Sequence, residues 1–393
     1  MTHPLPPLRL TGATVLRDGM LQRRSVAIAD GRITRGPLPE VDLTGYLIMP
    51  GIIDLHGDAF ERQIAPRPGA AFPLDRALLA TDREAAANGV TTAWLAQGWS
   101  WEGGFRAPDA AEALLAAHAA ARPRFLTDLR VQLRAETHLV DEGPRLLAAV
   151  ARWGVDYVVF NDHLPEALEI LRRDPPSLAA WARKLGRRPE DMSTAITAAE
   201  ARGRDVPRHL CRLAEAFDEL GVAYGSHDDP DGETRERFQM IGARIAEFPT
   251  SRRAAAAAAA MGAPVLLGAP NVVRGRSQAG NVAARDLIGE GLCDALVSDY
   301  HYPALAQAAF ALLDAGLLPL EKAWTMISTR PAEILRLPDR GRIAPGLRAD
   351  LVVINVETRT VEATIAAGRL AYLCGEAGRR FVAGSAGLRM AAE

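Results

Sequence analysis

A chain of 393 residues, 48% hydrophobic and 24% charged, is long enough for one large core and a smaller satellite, and this balance excludes a disordered protein. Its net charge of −2 leaves no footprint for nucleic acid, and no window approaches the roughly 18 unbroken apolar residues of a membrane span. The opening Met1-Thr2-His3-Pro4-Leu5-Pro6-Pro7 lacks the basic start and apolar stretch of a signal peptide, so the expected location is the cytoplasm, where Cys211, Cys293 and Cys374, far apart and in no CxxC pair, read as buried free thiols.

Residues 8 to 48 alternate short apolar pieces with turn residues. The steps Asp18-Gly19 and Asp30-Gly31 between strand-like runs predict hairpins of a small antiparallel sheet. The last stretch, from Gly341-Arg342-Ile343 through the strand pattern ending at Ile365 and the turn at Gly368-Arg369, reads the same way. The two ends, 1–48 and 341–393, are therefore expected to build one β-sandwich satellite domain around a different middle.

Residues 49 to 340 alternate apolar runs with Ala/Leu-rich helical stretches, the pattern of βα units and a parallel sheet. Eight strand candidates emerge: Ile52 to His56, Val90 to Ala96, Leu129 to Leu133, Tyr157 to Phe160, Val222 to Gly225, Arg244 to Phe248, Val265 to Leu267 and Ala295 to Val297. Together they predict a (β/α)8 TIM-type barrel, whose chemistry belongs where strands end and the following loops begin. A helical insertion over 164–221 carries a basic middle, Arg183-Lys184-Leu185-Gly186-Arg187-Arg188, readable as a lid or as a solvated face. The run Ala254 to Ala260 reads as an ordinary packed helix.

Six acidic or imidazole side chains fall at or just past strand candidates: His56, Asp58, Glu136, His163, His227 and Asp299. Alone, each is a weak signal. Jointly, three of only eight histidines and three carboxylates recur at one predicted rim, and these are the donors suited to zinc and its first-row neighbours. His56 and Asp58, at i and i+2, are expected on one face of their strand. His138 and His301 neighbour Glu136 and Asp299 and read either as supporting partners or as substrate donors, whereas His3, His118 and His209 read as surface or satisfied residues.

The Pro50-Gly51-Ile52-Ile53-Asp54-Leu55-His56 opening, the strand-end donors, the flanking β pieces and the run from Gly341 to Val353 resemble the amidohydrolase superfamily over nearly the whole chain. Four stretches resemble one family within it more closely: His56-Gly57-Asp58 continuing to Pro66-Arg67-Pro68, Ser226-His227-Asp228-Asp229, Glu247-Phe248-Pro249-Thr250, and Gly268 to Asn281. That family is the α-D-ribose 1-methylphosphonate 5-triphosphate diphosphatases of the carbon–phosphorus lyase pathway. The wider superfamily opens with His-x-His, whereas this chain has His56-Gly57-Asp58. Many members bridge two metals with a carboxylated lysine at a strand end, but of 46 basic residues only Lys184 and Lys322 are lysines and neither lies there, which makes Glu136 the natural bridging carboxylate. The segment after His163 also departs from the family, reading Leu164-Pro165-Glu166-Ala167-Leu168.

The resemblance implies a divalent metal cofactor, one or two zinc ions with manganese or iron as alternatives, held by the six strand-end residues, with Asp299 orienting a water and shuttling its proton. It also implies attack on phosphorus that releases pyrophosphate from a triphosphorylated ribose, a small-molecule substrate. Asn271, Arg274, Gly275, Arg276, Ser277, Gly280 and Asn281 of the glycine-rich loop are the expected phosphate contacts, with Arg67 and Arg62 as further cations. Two alternatives stay open: a cyclic-amide or N-acyl hydrolase of the same superfamily, and a non-catalytic binding protein on an enzyme fold. Neither a nucleic-acid nor a membrane partner is expected; a homodimer is a candidate assembly.

Overall fold

The chain was analysed as a computed structural model, which describes residues 4–67, 69–277 and 280–390, with the side chains of 384–390 outside that description. His3, Pro68, Gln278 and Ala279, named above, lie outside the described residues. All eight expected strands form: β1 (Ile52–Gly57), β2 (Val90–Trp99), β3 (Asp128–Glu136), β4 (Tyr157–Asn161), β5 (Ala223–His227), β6 (Ile245–Glu247), β7 (Val265–Gly268) and β8 (Ala295–Val297). They hydrogen-bond in sequence order as one parallel sheet. A parallel bridge from Gly57 to Asp299 brings β1 back to the end of β8 and closes the barrel at its rim.

Two layers of burial hold this arrangement. Outward residues such as Leu129, Val131 and Leu133 of β3 join the helices in the large core, while Ile53, Leu55, Trp94, Tyr157, Val159 and Leu266 fill the barrel interior. The closing seam is polar: Asp54 is fully buried and accepts from the backbone N–H of Ser298 at 2.9 Å and from its hydroxyl at 2.6 Å. Gly57 sits against this pair, where an added Cβ would meet Ser298 Oγ at 2.7 Å and Asp54 Oδ2 at 2.8 Å. A side chain larger than hydrogen would force the seam apart.

The flanking segments build two sheets. One has four strands, in the order Arg32–Thr34, Val26–Ala29, Leu8–Thr11 and Glu40–Asp42; the other has six, from Arg369–Leu373 through Leu351–Asn355 and Tyr46–Pro50 to Met20–Arg23. N- and C-terminal chain pair directly, with Ile48 opposite Val353, and Leu10, Val15, Ile28, Val353 and Ile365 share one core. The expected hairpin turns form at Asp18-Gly19 and Asp30-Gly31, where both residues of each pair have positive φ, as the tight turn between right-twisted strands requires.

After β4 the chain runs through four helices, Leu164–Arg173, Pro175–Lys184, Pro189–Ala201 and Val206–Leu220, each opening with a proline in its first turn. The first three share a small core with Trp101 of the loop after β2. The alanine run is helical over Arg252–Ala260, capped by the Ser251 side chain, which accepts from Ala254 N. The three cysteines are free, but none is as buried as expected: Cys293 and Cys374 are partly buried, and Cys211 is exposed because it lies on the outer face of its amphipathic helix. No helix among the described residues is long and apolar enough to cross a membrane.

Candidate metal centre

Among the described residues, two groups of side chains at the rim place their ligand atoms close enough to share an ion, each with all its ligand atoms within 4.8 Å of one another: His56, His227 and Glu247, and Glu102, Glu136 and His163. In the first, His56 is the penultimate residue of β1 and its Nδ1 lies 2.7 Å from Glu247 Oε2, both residues fully buried. The other oxygen of Glu247 accepts from Gln132 Nε2 at 2.7 Å and Tyr157 OH at 2.6 Å, so this carboxylate is locked from three strands. Burial works against a charge on His56, but the Glu247 carboxylate outweighs it and raises the pKa above the ordinary histidine value. His227 stands across, its ring 5.1 Å from that of His56, and Phe248 packs against both rings at 5.1 and 4.9 Å. Burial pushes the His227 pKa down.

In the second group, His163 Nδ1 lies 2.5 Å from Glu136 Oε1 and 3.0 Å from Glu102 Oε1. Burial again opposes charge on this imidazole, yet the two carboxylates carry its pKa up to about 10 in the metal-free protein. Glu136 also accepts from Trp101 Nε1 at 3.2 Å, and Glu102 from Trp181 Nε1 at 3.2 Å, so the helical insertion reaches this group directly.

Both donor sets fit a first-row divalent ion: imidazole and carboxylate are its common ligands. A further observation agrees. Nδ1 of His227 is buried without a hydrogen-bond partner among the described residues; Asp228 Oδ2 lies 3.0 Å away, but off the hydrogen-bonding direction. A buried, unpartnered imidazole nitrogen is costly unless a ligand takes it.

Of the six sequence-derived donors, the structure brings together His56 with His227, and Glu136 with His163; Asp58 and Asp299 join neither group. The register of β1 against β2 shifts between Asp54 and Gly57, and Asp58 lies beyond the strand's end, so strand alternation does not set its direction, although its charge still acts on His56. Asp58 and Asp299 instead meet across the seam, with Asp58 N donating to Asp299 O at 2.7 Å and Asp299 N to His56 O at 3.0 Å. Burial first, then the Asp58 carboxylate, push the Asp299 pKa up to about 7. Asp228, Phe248 and Asp299, each just past a strand end, all have positive φ, the concentration of backbone strain found at functional rims.

Glu102 and Glu247 were not among the expected donors, yet both carried the same signal. Glu247 lies inside the run 244–248 and is the last residue of β6. Glu102 follows β2, which runs to Trp99 and not to Ala96, so it stands three residues past a strand end and not in mid-loop. Arg134 was also missed. It is buried on the inward face of β3, between Gln132 and Glu136, donating Nε to Asn161 Oδ1 at 3.4 Å, and its charge acts on His56, Glu61, Glu102, His227, Asp228 and Asp299. Among the other histidines, His138 Nδ1 lies 3.0 Å from Thr137 Oγ1, His118 Nε2 2.8 Å from Leu129 O, and His209 is buried in its helix.

Two cavities open from the seam. One, of about 320 Å³, runs from Asp228, Phe248 and Asp299 to the glycine-rich loop, whose Asn271, Arg274, Ser277 and Asn281 line it. The Asn271 side chain braces that loop, accepting from Ala284 N at 3.0 Å. Gly275, Arg276 and Gly280 are exposed and are not among the lining residues described; the same holds for Arg67. The second cavity, of about 850 Å³, lies between Asp58 and the helical insertion and includes Arg62.

The profile of the amidohydrolase family matches residues 74–372. The chain is 32% identical over 349 residues to the alpha-D-ribose 1-methylphosphonate 5-triphosphate diphosphatase of Escherichia coli (strain K12), covering 84% of this chain and 90% of that protein. Among solved structures, the dihydropyrimidinase of Brevibacillus agri NCHU1002 superposes with a TM-score of 0.62 at 14% identity, over 95% of this chain and 97% of its own. The β-aspartyl dipeptidase of Fervidobacterium islandicum AW-1 does so with a TM-score of 0.63 at 14% identity, over the same shares, 95% and 97%. These two likenesses speak to the fold.

Proposed function

The chain belongs to the amidohydrolase family, and from that premise we propose that it is a metal-dependent diphosphatase releasing pyrophosphate from α-D-ribose 1-methylphosphonate 5-triphosphate in phosphonate catabolism in the cytoplasm. The observation that carries this reading is the cavity joining Asp299 to the loop of Asn271, Arg274, Ser277 and Asn281, which sets a proton acceptor beside groups that suit phosphate oxygens. His56, His227 and Glu247, and Glu102, Glu136 and His163, would hold one or two divalent ions, zinc first, manganese or iron next. When bound, such an ion supplies Lewis acidity that brings the pKa of water toward neutrality.

The chain's own residues do the rest. Asp299 takes the proton of the attacking water on its carboxylate, as the water oxygen bonds to the phosphorus nearest the sugar. The bridging oxygen leaves with the two outer phosphoryl groups, and Arg274 and the loop balance the charge that builds there. Arg134, buried beside both ligand groups, faces the same anionic centre from below. An amide hydrolase built on a carboxylated lysine finds no support in the site, since Lys184 ends the helix Pro175–Lys184 and Lys322 lies in the helix Leu320–Thr325, neither at a strand end.

The test is pyrophosphate release from that triphosphate by metal-reconstituted protein, with a chelated control. Metal-dependent release supports the reading. Stoichiometric metal binding without release would keep the metal centre and overturn the substrate.

A further inference from the structure

The helical insertion after β4 has no part in the chemistry just described, yet it is fastened to the metal centre. Trp181 donates to Glu102, Arg187 Nη1 donates to the Glu102 carbonyl at 2.6 Å, and Ala182 and Leu185 pack beside Trp101. This fixes the last turn of the helix Pro175–Lys184 over the cavity of about 850 Å³, whose opposite wall carries Asp58, Glu61 and Arg62. We propose that this cavity is a second anion subsite, one that holds the sugar and phosphonate end of the substrate through Arg183 and Lys184 while the glycine-rich loop holds the departing diphosphate. The identity of the ligand rests on the diphosphatase reading; the placement of the subsite does not.

Placement carries the assignment. Several arginines of this insertion are matched to carboxylates, Arg172 to Glu200 at 3.0 Å, Arg173 to Glu169 at 2.9 Å, Arg188 to Asp191 at 2.7 Å and Arg202 to Asp141 at 2.7 Å, whereas Arg204, Arg208 and Arg212 have no ion pair among the described residues and do not line the cavity. Arg183 and Lys184 have no ion pair among the described residues, although both are exposed and both line the cavity. A basic last turn suits the negative end of a helix, but that preference alone gives no reason for two adjacent unmatched cations to face one cavity. Its inner end, by contrast, is acidic: Asp58 lies at the seam, and Glu61 is held by Arg106 at 3.2 Å. The cavity is therefore cation-attracting near the metal centre and anion-attracting at its far end.

Connection to the reaction centre comes through Tyr300, which lines both cavities, and through Asp58 and Asp299, joined by a backbone hydrogen bond of 2.7 Å. A ligand lying across the seam enters both. The larger space, with Ile64, Phe105 and Leu185 in its walls, suits a sugar bearing a methylphosphonate, whereas the smaller polar one suits a diphosphate. An ammonium on a flexible stem grips a phosphonate as a point charge, and an arginine beside it adds directional donors.

The experiment is calorimetric titration of the sugar product, α-D-ribose 1-methylphosphonate 5-phosphate, and separately of pyrophosphate, into metal-loaded wild-type protein, Arg183→Ala/Lys184→Ala and Arg274→Ala. Both insertion side chains are exposed, so their removal leaves the fold intact. The double variant is expected to lose about tenfold or more in affinity for the sugar product and to bind pyrophosphate unchanged, with the reverse pattern for Arg274→Ala. Equal affinity of wild type and double variant for the sugar product, or no binding to wild type, overturns the subsite. Pyrophosphate release from the triphosphate is measured separately on the same metal-loaded wild-type preparation: its absence alongside variant-sensitive binding of the sugar product would sink the diphosphatase reading and support the subsite.

Discussion

Asp299 offers a direct test of the electrostatics at the seam, made on metal-free protein. Burial and the Asp58 carboxylate raise its pKa from 3.8 to about 7. A carboxyl whose folded pKa exceeds its unfolded one stabilises the fold through the proton it retains; that contribution is complete below the unfolded value and disappears as pH rises through the folded one. Between about pH 5 and pH 8 the shift corresponds to a loss of roughly 2–3 kcal/mol of stability from this one group, at about 1.4 kcal/mol per pKa unit. Asp299→Asn removes the titration without new backbone strain, because asparagine also tolerates the positive φ of 55° found there. Urea unfolding of wild type and variant across this range should show the difference between them narrowing or reversing by that amount as pH rises. Titrations shared by both proteins, such as that of His163, largely cancel in the difference. A pH-independent difference would refute the reasoning. Loaded with metal, Asp299→Asn should keep its ion and lose about 10²-fold or more in kcat; unchanged turnover would remove it as proton acceptor.

Three further outcomes follow from the support of the rim. Asp229→Ala leaves the buried Arg235 guanidinium without its carboxylate, 3.4 Å away, and should cost about 3 kcal/mol in urea unfolding, the low end for breaking a buried pair, because Ser226 Oγ and the carbonyls of Ile245 and Ala243 still accept from Arg235; a cost under about 1 kcal/mol would show the pair to be idle. Glu247→Gln keeps the contacts to Gln132 and Tyr157 in outline but withdraws the charge from His56, and chelator competition should show metal affinity reduced by about 10- to 100-fold. Unaltered affinity would demote Glu247 to a packing residue. Arg274→Ala, at an exposed position, should raise KM for the triphosphate by about tenfold with no change in unfolding midpoint, and an unaltered KM would return that loop to an ordinary surface turn.

Much of this molecule can be read from pattern, and the exceptions have physical causes. The eight strands announced themselves because each is a short apolar run closed by a turn or a charged residue, and the hairpins because Asp-Gly pairs accept positive φ. His56, Glu136, His163 and His227 were legible for the same reason: a strand end in a barrel faces the rim. Asp58 shows where periodicity stops informing, since the i, i+2 rule presumes a regular strand and the ladder between β1 and β2 slips one step before it. Glu102 was hidden by a boundary error of three residues in β2. Arg134 was in plain view: Gln132, Arg134 and Glu136 alternate with Val131, Leu133 and Ala135, so the polar face of β3 points into the barrel, and a polar inward face near the carboxyl end of a strand is itself a site signal. The exposure of Cys211 depends on which face of a helix packs, and the division of the rim donors into two groups depends on the closure of the barrel; neither is a local property of the chain.

That closure also accounts for the glycine between His56 and Asp58. The seam is made by Asp54, Ser298 and the bridge from Gly57 to Asp299, and it draws β1 and the end of β8 together more closely than a side chain at 57 would permit. The same contact sets Asp58 and Asp299 side by side, one opening to the sugar-sized cavity and the other to the glycine-rich loop. Asp228, Phe248 and Asp299 hold positive φ at about 1 kcal/mol or more each, and such conformations persist only where the surroundings over-determine them. Here the surroundings are the seam hydrogen bonds, the Ser226–Asp229–Arg235 network under β5 and the imidazoles packed edge-on and tilted against Phe248. Strain at the rim and rigidity beneath it are thus parts of one arrangement: the strand ends turn sharply so that carboxylates and imidazoles converge, and the buried polar groups below keep them from relaxing apart.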